Sequence, residues 1–338
     1  MKITEKISLK PFNTFGVESA ARYFSTFASA EELKTLLTEE KFKELPKLVL
    51  GGGSNILLCA DFEGLVLKNE LKGIELVSED AKHVFLKAGS GEVWQDLVEF
   101  CISRNYAGIE NLSLIPGTVG AGPLQNIGAY GAELKDVFFQ LEALSLKDLS
   151  LQLFSLTDCR FGYRNSVFKQ ELRGKYIILS VTLRLNKMPQ LNTSYGAIEK
   201  ELERMGVKEK SIQAISKAVI SIRRSKLPDP QTIGNAGSFF KNPEISREDY
   251  LLLKGNFAEL VAYPLEDGSF KLAAGWMIEQ CGWKGKRFGD AGVHVNQALV
   301  LVNYGKASGQ NILDLSEKII ASVKEKFGLS LEREVNTI

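Results

Sequence analysis

Apolar residues recur at three- and four-residue steps in several stretches of the chain, and each such stretch predicts an amphipathic helix. Leu33, Leu36 and Leu37 share one face behind Ser29 and Glu32, which have the spacing of a capping box, so a helix is predicted within 29–42. Trp94, Leu97, Val98 and Cys101 predict another within 92–103, and Ile212, Ile215, Val219 and Ile222 a third over 211–224. Ile312, Leu315, Ile319, Ile320 and Val323 predict a long helix over 311–327, closed by Gly328. Residues 273–281 and the very charged stretch 199–204 predict shorter ones. Strands are predicted at 47–50, 84–88, within 137–158, over 176–186, at 293–302 and at 330–337. In 176–186, Val181 and Leu183 alternate with Thr182 and Arg184. The first third thus contains a small α/β unit, and the middle predicts a mixed sheet with few helices. Lys226-Leu227-Pro228-Asp229-Pro230 stops the 211–224 helix as a rigid linker and marks a domain junction.

One segment fits no such period. Residues 115–131 contain Gly117, Gly120, Gly122, Gly128 and Gly131, two prolines and no charged side chain. Glycine and proline both oppose a helix there, and the segment is too apolar for a solvated linker. Such a loop brings bare main-chain N–H groups close to a ligand, as nests of amides do for anions. A second, Gly51-Gly52-Gly53-Ser54-Asn55, follows the apolar run Leu48-Val49-Leu50. Alone it reads as a tight turn. It lacks the Gly-Lys-Ser/Thr of a phosphate-binding loop and the third glycine of a dinucleotide fingerprint. Paired with 115–131, it points to an extended cofactor with a pyrophosphate held at more than one point.

Composition narrows the choice. With 338 residues the chain can form two or three domains, and 44% hydrophobic and 25% charged residues are ordinary for a globular protein. A net charge of +1 argues against a general nucleic-acid binder, so anionic ligands must be met by local cations. Cys59, Cys101, Cys159 and Cys281 form no Cys-x-x-Cys pair, and with His83 and His294 as the two histidines no zinc spacing can be written. The cysteines are expected to be reduced thiols and no metal is expected. The start, Met-Lys-Ile-Thr-Glu-Lys, lacks a signal-peptide apolar region, and no run of about 18 apolar residues occurs. A cytoplasmic protein is expected.

Other patches carry candidate chemistry. Cys159–Ser166 places Arg160 and Arg164 beside Tyr163, which suits carboxylate or phosphate recognition or a plain surface ion pair. In Gly234–Pro243, small residues precede Ser238, then Phe239, Phe240, Lys241 and Asn242. This reads either as an aromatic strand with a turn or as a hydroxyl held against a ligand over an apolar floor. No Gly-x-Ser-x-Gly elbow is present, so a serine hydrolase is unpersuasive and a serine proton donor is the alternative. Glu334 and Lys226 read by default as surface charges, and His294 as a satisfied strand histidine.

Taken in order, these motifs resemble the UDP-N-acetylenolpyruvoylglucosamine reductase family, whose members are flavoenzymes. The resemblance runs from Asn13-Thr14-Phe15-Gly16 through Gly51–Asn55, Ile115–Gly131 and Tyr163-Arg164-Asn165-Ser166. It continues with Lys226–Pro230, Gly234–Pro243, Asn296-Gln297-Ala298-Leu299 and Glu334-Val335, so that essentially the whole chain is covered.

The resemblance implies an α+β fold of three domains. Two form an FAD-binding unit like that of vanillyl-alcohol oxidase, and one binds substrate. By position the first spans 1–70, joined by the terminal strand 328–338, the second 71–218 and the third 219–327. It implies non-covalent FAD held by Gly51, Gly52, Gly53, Ser54, Asn55, Pro116, Gly117, Gly120, Gln125, Asn126, Ile127, Gly128, Gly131 and Arg164. NADPH is implied as co-substrate, alternating in one cleft with the enolpyruvyl ether of UDP-N-acetylglucosamine. Arg164, Ser238 and Glu334 match the catalytic positions. Tyr163, Tyr195, Lys226, Ser238, Asn242 and Gln297 match substrate contacts. Tyr195, in Ser194-Tyr195-Gly196, marks the type with a tyrosine loop. No obligate protein partner is implied. Gly122 stands where a bulkier small residue is expected, and its freedom is expected to loosen the flavin loop. The competing readings are an FAD oxidase or dehydrogenase acting on another substrate, and a flavin or nucleotide-sugar binding protein without catalysis. Neither needs Arg164, Ser238 and Glu334 together.

Overall fold

Three chain stretches with parallel-strand hydrophobicity build the first sheet. The computed structural model describes residues 2–338. Phe62–Asn69 pairs in parallel with Ala20–Phe27 on one side and Lys47–Leu50 on the other, and Thr4–Ser8 extends the sheet to four strands. The crossover helix Ala30–Thr38 buries Leu33, Leu36 and Leu37 against Phe27, Phe42, Leu65 and Leu67. Half of the expected capping box forms: the Glu32 amide donates to Ser29 Oγ at 3.1 Å, but the Glu32 carboxylate accepts from the Ala28 amide at 2.7 Å, one residue before the cap.

The second sheet has five strands in the order Leu151–Ser155, Phe138–Ser145, Tyr176–Asn186, His83–Gly89, Ile74–Glu79. All pairings are antiparallel, which corrects the expected mixed sheet. The reason is connectivity: the outer strands join their neighbours as hairpins, which need no crossover helix. Helix Trp94–Ser103 packs Trp94, Leu97, Val98 and Cys101 on one face of this sheet, with Val84, Leu86, Leu141, Val181 and Leu183. Two further helices, Gly196–Arg204 and Ile212–Lys226, join through Ile198, Leu202, Ile215, Ala218, Val219 and Ile222.

These elements form one of two compact units, comprising the residues up to Ile7, Ala21–Gly52 and Phe62–Ser225. The other gathers Ser8–Ala20, Gly53–Asp61 and Lys226–Ile338. Its main sheet orders Gly234–Ser238, Val300–Asn303, Ala291–Val293 and Arg287–Phe288. Helix Gly309–Phe327 starts at a Ser308/Asn311 capping box and ends on Gly328 in the left-handed conformation (φ 72°). It buries Ile312, Leu315, Ile319 and Val323.

Three expectations change. The predicted strand 293–302 is two strands, Ala291–Val293 and Val300–Asn303, joined by a turn in which the Val300 amide returns to the Gln297 carbonyl at 3.1 Å. Of 330–337, Asn336–Thr337 is the strand, paired in parallel with Ile56–Leu57. The glycine-rich segment is not wholly irregular, because Val119–Leu124 forms a 3-10 helix with Pro123 inside it. The tighter winding tolerates these residues in a short run. Gly122 within it is buried, and a Cβ there would stand 3.3 Å from Leu134 Cδ2, so packing offsets the freedom expected of this glycine.

All four cysteines are free thiols. Cys101 and Cys159 are buried, which pushes each thiol up to about 12. Among the described residues no helix is long and apolar enough to cross a membrane.

The helix core sets a ranking of stabilities. Leu36→Ala, at a fully buried position, is expected to cost about 3 kcal/mol in urea unfolding. Ser29→Ala removes a cap and is expected to cost about 1 kcal/mol. Equal losses in the two variants would contradict this packing.

Candidate functional site

In the first unit the two glycine loops touch, backbone to backbone. A Cβ on Gly52 would lie 2.8 Å from the Gly117 Cα, and one on Gly51 would overlap the Thr118 side chain. Residues 117–120 are held in place by the start of helix Trp94–Ser103 and the residues before it. The Trp94 amide donates to the Gly117 carbonyl (3.0 Å), and the Val119 and Gly120 amides donate to the Glu92 and Ser90 carbonyls at 2.8 and 2.9 Å. Gly117 (φ 108°) and Gly131 (φ 79°) take backbone angles that suit glycine. At Gly51, Gly52 and Gly117 the chain offers main chain without side chains, as binding a cofactor diphosphate through amides requires.

The far end of the loop is locked to the arginine turn. Asn126, itself left-handed at φ 45°, donates from Nδ2 to the Glu133 carboxylate (2.9 Å) and the Gly162 carbonyl (3.1 Å). Its Oδ1 accepts from the Lys135 amide at 3.0 Å. Arg164 (φ 51°) donates from Nη2 to the Gly128 carbonyl at 2.6 Å, and its guanidinium lies 5.4 Å from the Tyr163 ring. Ser166 Oγ donates to the Leu124 carbonyl at 2.7 Å. The sequence-predicted Arg164, Asn126 and Gly128 are therefore brought together. Gln125 lies beside Lys169, whose Nζ donates to its side chain at 3.4 Å.

Tyr195 also reaches this loop. Its ring meets the Tyr130 ring edge-on at 5.3 Å. The preceding Asn192 donates from Nδ2 to the Gly131 carbonyl at 2.9 Å, while Asn111 Nδ2 bridges the Tyr130 and Asn192 carbonyls at 2.8 and 3.0 Å. Arg223 is a residue that the sequence reading missed. It donates from Nε to the Leu114 carbonyl at 3.2 Å, and burial depresses its pKa, with the Arg164 charge adding to the effect and Tyr130 opposing it. A guanidinium so placed favours a nearby anion. The signal lay in the Arg223-Arg224 pair on a helix otherwise chosen for its apolar face. Burial in turn raises the Tyr130 pKa.

In the second unit, Ser238 ends the Gly234–Ser238 strand just after a register shift against Val300–Asn303. Gly237 takes φ 70° there, and its amide donates to Asn235 Oδ1 at 2.9 Å. A bulge of this kind re-aims the next side chain. Phe239 and Phe240 are buried. The chain then runs along its own C-terminal segment. Glu334 donates its amide to the Phe239 carbonyl at 2.8 Å, Phe240 bridges to Arg333, and Lys241 donates its amide to the Glu332 carbonyl at 2.9 Å. Glu334 thus sits beside the residue that follows Ser238, though outside the strand expected for it.

Asn55 holds Glu334 from the other side. Its Nδ2 donates to the Glu334 carbonyl at 3.3 Å, and its own carbonyl accepts from the Asn336 amide and Nδ2 at 3.1 and 3.0 Å. Gly53 (φ 63°) has no room for a Cβ against the Phe12 carbonyl, and the Thr14 amide donates to the Gly53 carbonyl at 3.1 Å. Asn242 Oδ1 accepts from the Ala274 amide at 3.0 Å, and a Cβ on Gly275 would stand 3.1 Å from Gln297 Oε1. Asn242 and Gln297 therefore converge on the start of helix Ala274–Gln280. Lys226 is an exposed helix end, and Ser54 and Pro116 lie in their loops as expected. His294 Nδ1 is buried without a hydrogen-bond partner, unlike the satisfied histidine that was expected, and burial lowers its pKa.

Comparison with known proteins agrees with both units. A family model described as an FAD binding domain matches residues 21–148. Another, described as the UDP-N-acetylenolpyruvoylglucosamine reductase C-terminal domain, matches 229–338. The chain is 51% identical to the UDP-N-acetylenolpyruvoylglucosamine reductase of Amoebophilus asiaticus and 48% identical to that of Flavobacterium johnsoniae, covering 100% of each chain. The crystal structure of the reductase from Thermus caldophilus shares the fold with a TM-score of 0.68 at 24% identity, over 100% of this chain and 99% of that one. The bare backbone at Gly51, Gly52 and Gly117 fits FAD, and the relatives are full-length and close: the chain belongs to the UDP-N-acetylenolpyruvoylglucosamine reductase family and is an FAD-dependent enzyme of that family.

Proposed function

We propose that the chain uses NADPH to reduce the enolpyruvyl ether of UDP-N-acetylglucosamine to UDP-N-acetylmuramate, a peptidoglycan precursor, in the cytoplasm. The observation that carries this is the backbone pairing of 239–241 with 332–334, which sets the Ser238 strand end beside Glu334. FAD, once reduced, supplies the hydride for the carbon–carbon double bond. The main-chain amides of Gly51 to Asn55 and of Gly117 hold its diphosphate, with Pro116 and Gly120 shaping the second loop around it. Gln125, Asn126, Ile127, Gly128, Gly131 and Arg164 border its ring.

Addition of hydride to the terminal carbon leaves negative charge on the adjacent carbon and its carboxylate. Arg164 is the fixed cation for that charge, and its bond to the Gly128 carbonyl orients it before any substrate arrives. Glu334, protonated, donates a hydrogen bond to the same anion. Ser238 Oγ delivers a proton to the second carbon. A hydroxyl is a weak acid, but the enolate is a strong base, and fixed geometry makes the transfer efficient.

Tyr163, Asn242 and Gln297 contact the sugar nucleotide, and Lys226 and Tyr195 its diphosphate. The edge-on Tyr195–Tyr130 contact supports a tyrosine loop of the loop-bearing type. We assign the FAD-binding subdomains to 1–70 with 328–338 and to 71–218, and the substrate domain to 219–327.

Mixing under anaerobic conditions tests the reading. NADPH is expected to bleach the bound flavin, and the enolpyruvyl sugar to restore its colour; absence of that restoration would falsify the assignment. Ser238→Ala is expected to keep flavin reduction nearly intact but slow reoxidation by at least ~100-fold. Equal loss in both half-reactions would instead indicate a binding defect. Arg164→Ala is expected to slow reoxidation too, and an unchanged rate there removes its role. Gly52→Ala, by forcing its Cβ against Gly117, is expected to weaken FAD binding about 10-fold or more, read by flavin fluorescence on the stripped protein.

A further inference from the structure

The two cofactor loops present a problem of charge. Neither Gly51–Asn55 nor 115–131 contains a lysine or arginine, yet they are read as holding a diphosphate. Main-chain amides supply partial charges, but a site for a dianion gains from a full positive charge close by.

Lys68 is a cation built into the support of the first loop. It lies in the central strand Phe62–Asn69, paired with Leu50 on one side and Thr26 on the other. A lysine in a strand flanked on both sides is unusual, because lysine is rarely placed inside a sheet core without a partner. Its ammonium donates to the Gly51 carbonyl at 2.6 Å, where the Lys47–Leu50 strand has just ended. Burial lowers its pKa, with Lys72 adding to the effect and Glu70 opposing it, so this ammonium has given up part of its hydration.

The bond has a geometric consequence. In a trans peptide the C=O and the following N–H point to opposite sides. Fixing the Gly51 carbonyl on Lys68 fixes the Gly52 amide facing away from it. Gly52 is also the residue whose missing side chain lets the turn meet Gly117.

We propose that Lys68 is a positioning residue for the cofactor diphosphate: its ammonium anchors the Gly51 carbonyl, aims the Gly52 amide at the anion and brings a positive charge to the Gly51–Asn55 turn. The inference rests on the reading that the glycine turn holds that diphosphate.

FAD titration of the full-length chain stripped of flavin tests it, with melting of the flavin-free protein as a control for folding. Lys68→Met is expected to raise the FAD dissociation constant about 10-fold or more with little change in melting. Lys68→Arg, which keeps charge and donor, is expected to stay within about threefold of the unaltered chain. Lys68→Met binding within about threefold overturns the inference. So does equal weakening in the Met and Arg variants, or a matching collapse of the melting transition, since either makes the lysine a packing element. Failure of the unaltered chain to bind FAD would instead strike the functional reading itself.

Discussion

Gly52 and Gly117 face one another across a gap that no side chain could share. That contact constrains much of the first unit. It requires the Lys47–Leu50 strand to end where it does, and it requires the second loop to arrive with its backbone exposed. The arrival is enforced by the start of helix Trp94–Ser103, whose first amide is spent on the Gly117 carbonyl. That helix is itself anchored by Trp94 and Leu97 in the core of the antiparallel sheet. Hydrophobic packing well away from the loops therefore sets the spacing of amides within them.

In the second unit, segments far apart in the sequence are held side by side. A bulge at Gly237 turns Ser238, and ladder bonds on Phe239 and Lys241 fix the segment that bears Glu334. Both backbone groups of Glu334 are engaged, the amide by Phe239 and the carbonyl by Asn55. A side chain on such a tethered residue loses little further entropy when it engages a ligand.

Much of this was legible in the residues. Most helices were, because they have an apolar stripe and several have caps, with Ser29 and Gly328 performing as their types suggest; Arg247–Asn256 was not, because it buries none of its residues. The two glycine loops stood out as stretches without helix or strand period, but their contact with each other did not, since spacing in sequence says nothing about which backbones meet. The antiparallel order of the middle sheet was hidden because strand periodicity is the same in either direction. The break inside 293–302 was hidden because Ala298 and Leu299 continue an apolar run through a turn. Ser238 and Glu334 were found through motif resemblance. Arg223 was passed over because its helix was read for its apolar positions, and Lys68 because the strand that bears it, Phe62–Asn69, was not read from the residues at all.

The division of the glycine run has a consequence for how the molecule is made. Gly52 belongs to one unit and Gly53 to the other, and the second unit draws on residues 8–20, 53–61 and 226–338. Its strand Ile56–Leu57 pairs with Asn336–Thr337, near the opposite end of the chain. During translation those early segments leave the ribosome long before their partners exist. Closing so long a loop is entropically costly, and contacts of high sequence separation slow folding. Closing the second unit requires 226–338 as well as 8–20 and 53–61. Segments 8–20 and 53–61, which carry the buried Phe15 and Leu57, therefore gain their cover only when 226–338 is in place.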